Sequence, residues 1–351
     1  MALNTTLTDI HSDIIQTHIL TKLDGPSLST TATVSSYLQS LCSDHHLWLP
    51  ISKSTWPSIT DPRVDDVIST FPSGHRSFFQ DSFPSLITNF NQPHKWSTDS
   101  SSSHDLDRPS QLISAVDIHY QNDIIYSRVE FTNTTNDFLS SDCRIELKND
   151  PTSKNAQGIS RSIDLIVDEI SGANKSTLLH LKDSLKLNWI LIHPARKRAG
   201  NLSSIKPIIS RQDWATNETL LRYVIVLPGD DVNEMVQCKI QVVLGVGERG
   251  IGLYVKEVVL KLQGLDCNFL SGRDFLVITR RAIMEENNVT RKVIDDEEER
   301  WKNCKLFKEM KQNKEERLRK QNERRELAIN CSYVGLFLSF LLSIYYIILL
   351  L

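Results

Sequence analysis

The chain lacks most of the signals that mark an enzyme. Its 351 residues contain no G-x-x-x-x-G-K-[ST], no H-E-x-x-H and no G-x-S-x-G, so a P-loop nucleotidase, a zincin protease and an α/β-hydrolase are not expected. The six cysteines (Cys42, Cys143, Cys238, Cys267, Cys304, Cys331) are scattered, with no C-x-x-C pair and no histidine at metal spacing. Reduced, mostly buried thiols of a cytosolic protein follow, rather than a disulfide framework or a zinc site. No charge of one sign dominates: 40 Lys+Arg stand against 43 Asp+Glu, a net charge of −3, which argues against a nucleic-acid partner. No internal repeat is evident, which disfavours a propeller or solenoid. The N-terminus has no basic segment, and Asp9, His11 and Asp13 interrupt any apolar run, so no secretory signal is expected. The Asn-x-Ser/Thr triplets at Asn133, Asn201 and Asn217 then read as chance matches.

What is present is unevenly distributed. Cys331 to Leu351 carries no charge over 21 residues. As a helix it would be about 30 Å long, the thickness of a bilayer core. Residues 331–351 are therefore expected to be a transmembrane helix, with Cys331, Val334, Leu336, Phe340, Leu342, Ile347 and Leu350 among its membrane-spanning residues. Lys311 to Glu326, just before it, holds seven basic and four acidic residues. A Lys/Arg excess on that flank predicts a single-pass C-terminal anchor in an unspecified membrane, the bulk of the chain lying in the cytosol. Asp295 to Glu326 holds ten acidic and eleven basic residues with no proline or glycine. Opposite charges recur four apart, as in Asp296/Arg300, Lys305/Glu309 and Glu316/Lys320, so 285–330 is expected to be an exposed helical stalk.

Residues 8–56 read as short helices. Ile10, Ile14, Ile15, Leu20 and Leu23 approximate one helical face, Thr8 or Ser12 can cap its start, and Asp24-Gly25-Pro26 breaks it. Residues 57–110 alternate turn residues with aromatics and then become polar around Ser97 to Ser103, predicting a helical bridge and a linker. From 111 to 284 the pattern is of short β-type runs: 112–120, 124–131, 142–147, 163–167, 185–192, 220–227, 236–244, 253–262 and 275–283, with a helix allowed at 177–184. An α+β chain with an antiparallel, sandwich-like middle domain follows. Gly245-x-Gly247-x-x-Gly250 matches the dinucleotide fingerprint, but Ile251-Gly252-Leu253-Tyr254-Val255 reads as a strand where a helix is required, so a glycine-rich hairpin is expected and no cofactor. Arg196-Lys197-Arg198 and Arg280-Arg281 are small basic clusters in the same domain.

Residues 10–56 resemble an F-box, in Asp13-Ile14-Ile15, Ile19-Leu20, Leu23, the Asp24-Gly25-Pro26-Ser27 break, Val34-Ser35-Ser36-Tyr37-Leu38 and Leu47-Trp48. Trp56-Pro57-Ser58, Asp61-Pro62-Arg63, Phe71-Pro72-Ser73-Gly74 and Asp81-Ser82-Phe83-Pro84 then resemble a subfamily of plant F-box proteins, as do Leu112 to Asp117 and Lys186 to Ile192. One departure is Ile10-His11 where F-boxes usually open on Leu-Pro. The resemblance implies a non-catalytic receptor subunit. Ile10, Ile14, Ile15, Ile19, Leu20, Leu23, Val34, Leu38, Leu41, Leu47 and Trp48 would bind a small SKP-type adaptor, and through it a cullin–RING ubiquitin ligase, while the β domain binds a target protein. The missing proline supports the alternative of a membrane-tethered scaffold with a degenerate F-box and no ligase role.

Overall fold

The computed structural model describes residues 10–87, 90, 109–149, 158–166, 175–213, 215–229, 234–247, 251–284 and 297–350. Six short helices come first: α1 (Ser12–Ile14), α2 (Gly25–Thr31), α3 (Ser36–Leu41), α4 (His45–Thr55), α5 (Pro62–Ser69) and α6 (His75–Ser82). Five of the six start on a side chain that accepts an orphan N–H of the first turn, His11 of α1 among them. Asp24 accepts from Ser27, Ser35 from Leu38, Asp44 from His46 and Asp61 from Arg63, at 2.9–3.2 Å. Pro26 and Pro62 sit in first turns, where a missing N–H costs nothing. The helices converge on aromatics: Trp48 against Phe79 at 5.3 Å between ring centroids, and Trp56 edge-on to Phe78 at 5.6 Å.

Eleven strands follow among the described residues. One antiparallel sheet is built from β1 (Gln111–Tyr120), β2 (Asp123–Asn133), β4 (Ile159–Ser160), β6 (Leu185–His193) and β7 (Arg198–Asn201), in the order β4-β2-β1-β6-β7. The second holds β3 (Arg144–Lys148), β8 (Ile209–Gln212), β9 (Thr219–Pro228), β10 (Met235–Val246) and β11 (Ile251–Gln263), in the order β3-β11-β10-β9-β8, with β5 (Ile163–Ile166) also pairing β11. Helices α7 (Asn136–Ser140) and α8 (Lys175–Ser184) lie in the connections, and α9 (Gly272–Met284) and α10 (Glu297–Leu350) end the chain.

The first sheet is buried on both faces. Val116, Ile118, Leu187, Trp189 and Leu191 point into the core shared with the second sheet, while Ile113, Ala115, Ile190, Ile192 and Ala199 pack under the six helices. A strand places alternate side chains on opposite faces, so β1 and β6 serve two cores at once and read as continuous apolar runs. The helical layer is thus seated on the sandwich.

Three expectations change. The run 275–283 is helix, not strand: Phe275, Ile278, Thr279, Ala282 and Ile283 are buried, at the spacing of one helical face. The start is set by a reciprocal cap, with the Asp274 N–H donating to Ser271 Oγ and the Ser271 N–H to Asp274 Oδ2. The charged helix is not free along its whole length either. Arg300, Asn303 and Phe307 are buried against the body, with Phe307 packed on Val226, Met235 and Leu265.

The third change concerns the tail. Helix α10 is one continuous element of 54 residues, charged as far as Arg324, Arg325 and Glu326 before its apolar part begins. Cys331, Val334, Leu336 and Phe340 are exposed on it, and the side chains of Leu342, Ile347 and Leu350 lie outside the described residues. Among the described residues no helix is long and apolar enough to cross a membrane. This overturns the expected 331–351 transmembrane helix, and with it the single-pass anchor and the lipid partner.

Candidate functional site

The N-terminal layer opens with a helix of changing pitch. His11 caps α1, its Nδ1 accepting from the Asp13 N–H at 3.4 Å where Leu-Pro is usual. After α1 the chain passes into a π-helical turn, Ile15–Ile19, and a 3-10 turn, Leu20–Lys22. The Leu20 N–H reaches back five residues to the Ile15 carbonyl. In a uniform α-helix residues five apart are turned by about 140°. The i→i+5 turn brings them back into line, so Ile15 and Leu20 are both buried while Ile14 and Ile19 both face solvent.

The eleven candidate adaptor contacts therefore divide. Ile15, Leu20, Leu41, Leu47 and Trp48 lie inside the layer's own core, and the Trp48 indole donates to the Cys42 carbonyl at 2.6 Å. Leu23 and Leu38 are half-buried against that core. Ile10, Ile14, Ile19 and Val34 are 39, 50, 46 and 71% exposed. Among the described residues of the helical layer these four are the large hydrophobics left exposed.

The layer is held to the sandwich by buried polar contacts that sequence reasoning missed. Asp117, in the middle of β1, is fully buried. It accepts from the Ser58 N–H (2.9 Å), Ser58 Oγ (2.5 Å) and Ser127 Oγ (2.7 Å). Burial pushes its carboxyl up to about 6 although these bonds pull the other way. Asp81 of α6 accepts from Arg198 Nε (2.9 Å) and the Ala199 N–H (3.0 Å) of β7. Arg300, at the start of α10, donates to the Ser204 carbonyl (3.1 Å) and Ser85 Oγ (2.7 Å). The available signal for Asp117 was a lone charge inside Ser114-Ala115-Val116-Asp117-Ile118; Asp81 and Arg300 carried none, since their partners lie 117 and 215 residues away.

Other candidates gather no chemistry. The glycine fingerprint fails because β11, not a helix, starts at Ile251; Gly250 itself lies outside the described residues. His193 is buried at the end of β6 with neither ring nitrogen bonded among the described residues, and burial together with Arg280 lowers its pKa to about 4. No group of three or more His, Cys, Asp or Glu that could hold a metal occurs among the described residues. Arg198 of the first basic cluster packs toward α9, donating to the Ile283 carbonyl at 3.4 Å, which brings the two basic clusters to one end of the sandwich.

No family model matches the chain, and no solved structure matches it. Three proteins of Arabidopsis thaliana do. The F-box protein At2g27310 is 39% identical over 304 residues, covering 84% of this chain and 83% of that protein. The F-box protein At3g44326 is 36% identical over 283 residues, covering 78% of this chain and 73% of that protein. The probable F-box protein At2g36090 is 36% identical over 294 residues, covering 82% and 78%. Matches of this identity, running through both the helical layer and the sandwich, mean that the chain belongs to the plant F-box proteins.

Proposed function

We propose that the chain is the receptor subunit of an SKP–cullin–F-box ubiquitin ligase, contributing no chemistry of its own. The observation that supports this reading most strongly is the set of exposed aliphatics on the N-terminal layer, Ile10, Ile14, Ile19 and Val34, in a chain that belongs to the F-box proteins. These side chains dock an SKP-type adaptor, and the buried set beneath them, Ile15, Leu20 and Trp48, holds the surface in shape. The sandwich binds the target. Ligation then proceeds by proximity, since a target held on the same body as the adaptor meets the ubiquitin-charged enzyme at high effective concentration.

The test is co-purification of an SKP-type adaptor with the full chain and with Ile14→Asp/Ile19→Asp/Val34→Asp. These positions lie outside the core, so an unchanged thermal melt shows that the variant folds. Adaptor recovery should drop at least about tenfold, as expected when central apolar contacts are replaced by charge. Undiminished recovery by the folded variant would sink the reading. His11 in the usual proline position favours a second reading, a scaffold without ligase role; wild-type chain that recovers no adaptor supports that one.

A further inference from the structure

The outer face of the second sheet carries like charges in register. Cys238 and Ile240 of β10 point into the shared core, so Lys239 between them points out. Lys239 stands directly opposite Lys261 of β11 in the antiparallel ladder. Arg222 of β9 is opposite Gln241, two residues along from Lys239 on the same face. Directly opposite Cβ atoms are about 5 Å apart and diagonal neighbours about 7–8 Å apart, and like charges placed so oppose folding. Among the described residues no carboxylate answers these three cations. Lys239 donates to the amide oxygen of Gln263, Lys261 lies 4.8 Å over the Phe269 ring, and the Arg222 guanidinium has no partner. Glu146 and Glu257, further along the face, are taken by Arg144 and Lys148 at 2.6–3.0 Å. Lys311 of α10, at the margin, has Glu315 at 3.9 Å. Burial pushes the Lys239 ammonium down to about 8, and Arg222 and Lys311 push it the same way. All three cations are half-buried, within reach of a partner.

We propose that this face of β9, β10 and β11 is the target-binding surface, and that it takes an extended protein segment with Asp or Glu at alternate positions. The proposal rests on the receptor reading above. Charge complementarity selects an acidic segment, since three cations with no carboxylate among them keep their mutual repulsion until anions arrive. Spacing selects an extended one. Arg222 and Lys261 sit two strands apart, about 10 Å, too far for one carboxylate to serve both. Alternate residues of an extended segment lie on one side about 6.6 Å apart, close to the diagonal from Lys239 to Arg222. One carboxylate then meets Lys239 with Lys261, and the next meets Arg222. Gln237 and Gln241 flank Lys239 on the same face, half-buried, and their amides offer the donors and acceptors that peptide groups require. The position also suits a receptor. The helical layer covers the outer face of the first sheet, so a target on the second sheet leaves Ile10, Ile14, Ile19 and Val34 free for the adaptor.

The experiment is panning of the full chain, in complex with its adaptor, against a random dodecapeptide library. Enriched clones should carry Asp or Glu at alternate positions, and their recovery should fall as salt is added. Arg222→Glu and Lys261→Glu lie outside the cores, and the second sets an opposite charge across from Lys239, so an unchanged or raised thermal melt shows that they fold. Each should cut recovery of those clones about tenfold or more, the effect of lost charge-assisted hydrogen bonds. No enrichment, enrichment of basic or purely apolar clones, or recovery unaffected by both folded variants would each overturn the proposal. A dimer of the full chain by light scattering that Lys261→Glu abolishes would give the face to a second copy and overturn it as well. Adaptor co-purification by the same variants should stay at the wild-type level. Its failure in wild-type chain would count against the receptor reading instead, so the two failures are told apart.

Discussion

Asp117 makes stability depend on pH in a direction opposite to the usual carboxylate. Its carboxyl ionises near 6 in the folded chain against a reference of 3.8, because burial outweighs three hydrogen bonds to the charged form. Below 3.8 both states are protonated and the group's contribution is most favourable. Between 3.8 and about 6 the unfolded chain ionises while the folded one resists, so stability falls as pH rises. Above that window the loss is complete. A shift of about two units corresponds to about 3 kcal/mol. Asp117→Asn keeps the shape and cannot ionise. The assay is urea unfolding of both proteins from pH 4 to 7.5, followed by fluorescence of the buried Trp48, Trp56 and Trp189. The wild type should gain about 2.4 kcal/mol of this relative to Asp117→Asn on going from pH 7 to pH 4, where the unfolded carboxyl is still partly ionised. Taking the difference removes His193 and His75, whose lowered pKa values act in the opposite sense by costing stability on acidification. A difference that stays constant with pH would refute the reasoning. A difference of opposite slope would show that the three donors outweigh burial.

Two further perturbations address the packing of the layers. A Cβ at Gly25 would run into the Phe79 ring, so Gly25→Ala should cost about 1–3 kcal/mol in urea unfolding, and a neutral result would contradict the close approach of α2 to α6. Arg300→Ala removes the donors to Ser204 and Ser85 and should cost about 2–3 kcal/mol while raising hydrogen exchange selectively in the first four turns of α10; unchanged exchange there would mean that the Arg300 bonds do not hold the helix in place.

Much of the fold was legible in the sequence because strands buried on one or both faces leave strong apolar runs, and the β1, β2, β6, β9, β10 and β11 regions all show them. The miss at 275–283 came from weighing Phe, Val and Ile as strand formers above their spacing; the Ser271–Asp274 cap was readable. The N-terminal segment was harder. Its apolar residues were read as one face, but the π turn sorts pairs five apart into an inner and an outer set, and pitch is decided by packing, not by composition. For the candidate site, residue type pointed to aliphatic contacts without separating Ile14 from Ile15. The cationic face was not legible, since Arg222, Lys239 and Lys261 meet only through the register of three strands.

Because β1 and β6 each line two cores, their tolerance of insertions and deletions is unusual. Loss or gain of one residue in either strand would move Ile190 and Trp189, or Ala115 and Val116, to each other's side. An ordinary surface strand would lose one buried face; here the helical layer and the sandwich would be emptied together, and the exposed aliphatics of the layer would lose their support. Length changes in this lineage should therefore accumulate in the connections and spare these two strands, even where the residues within them drift.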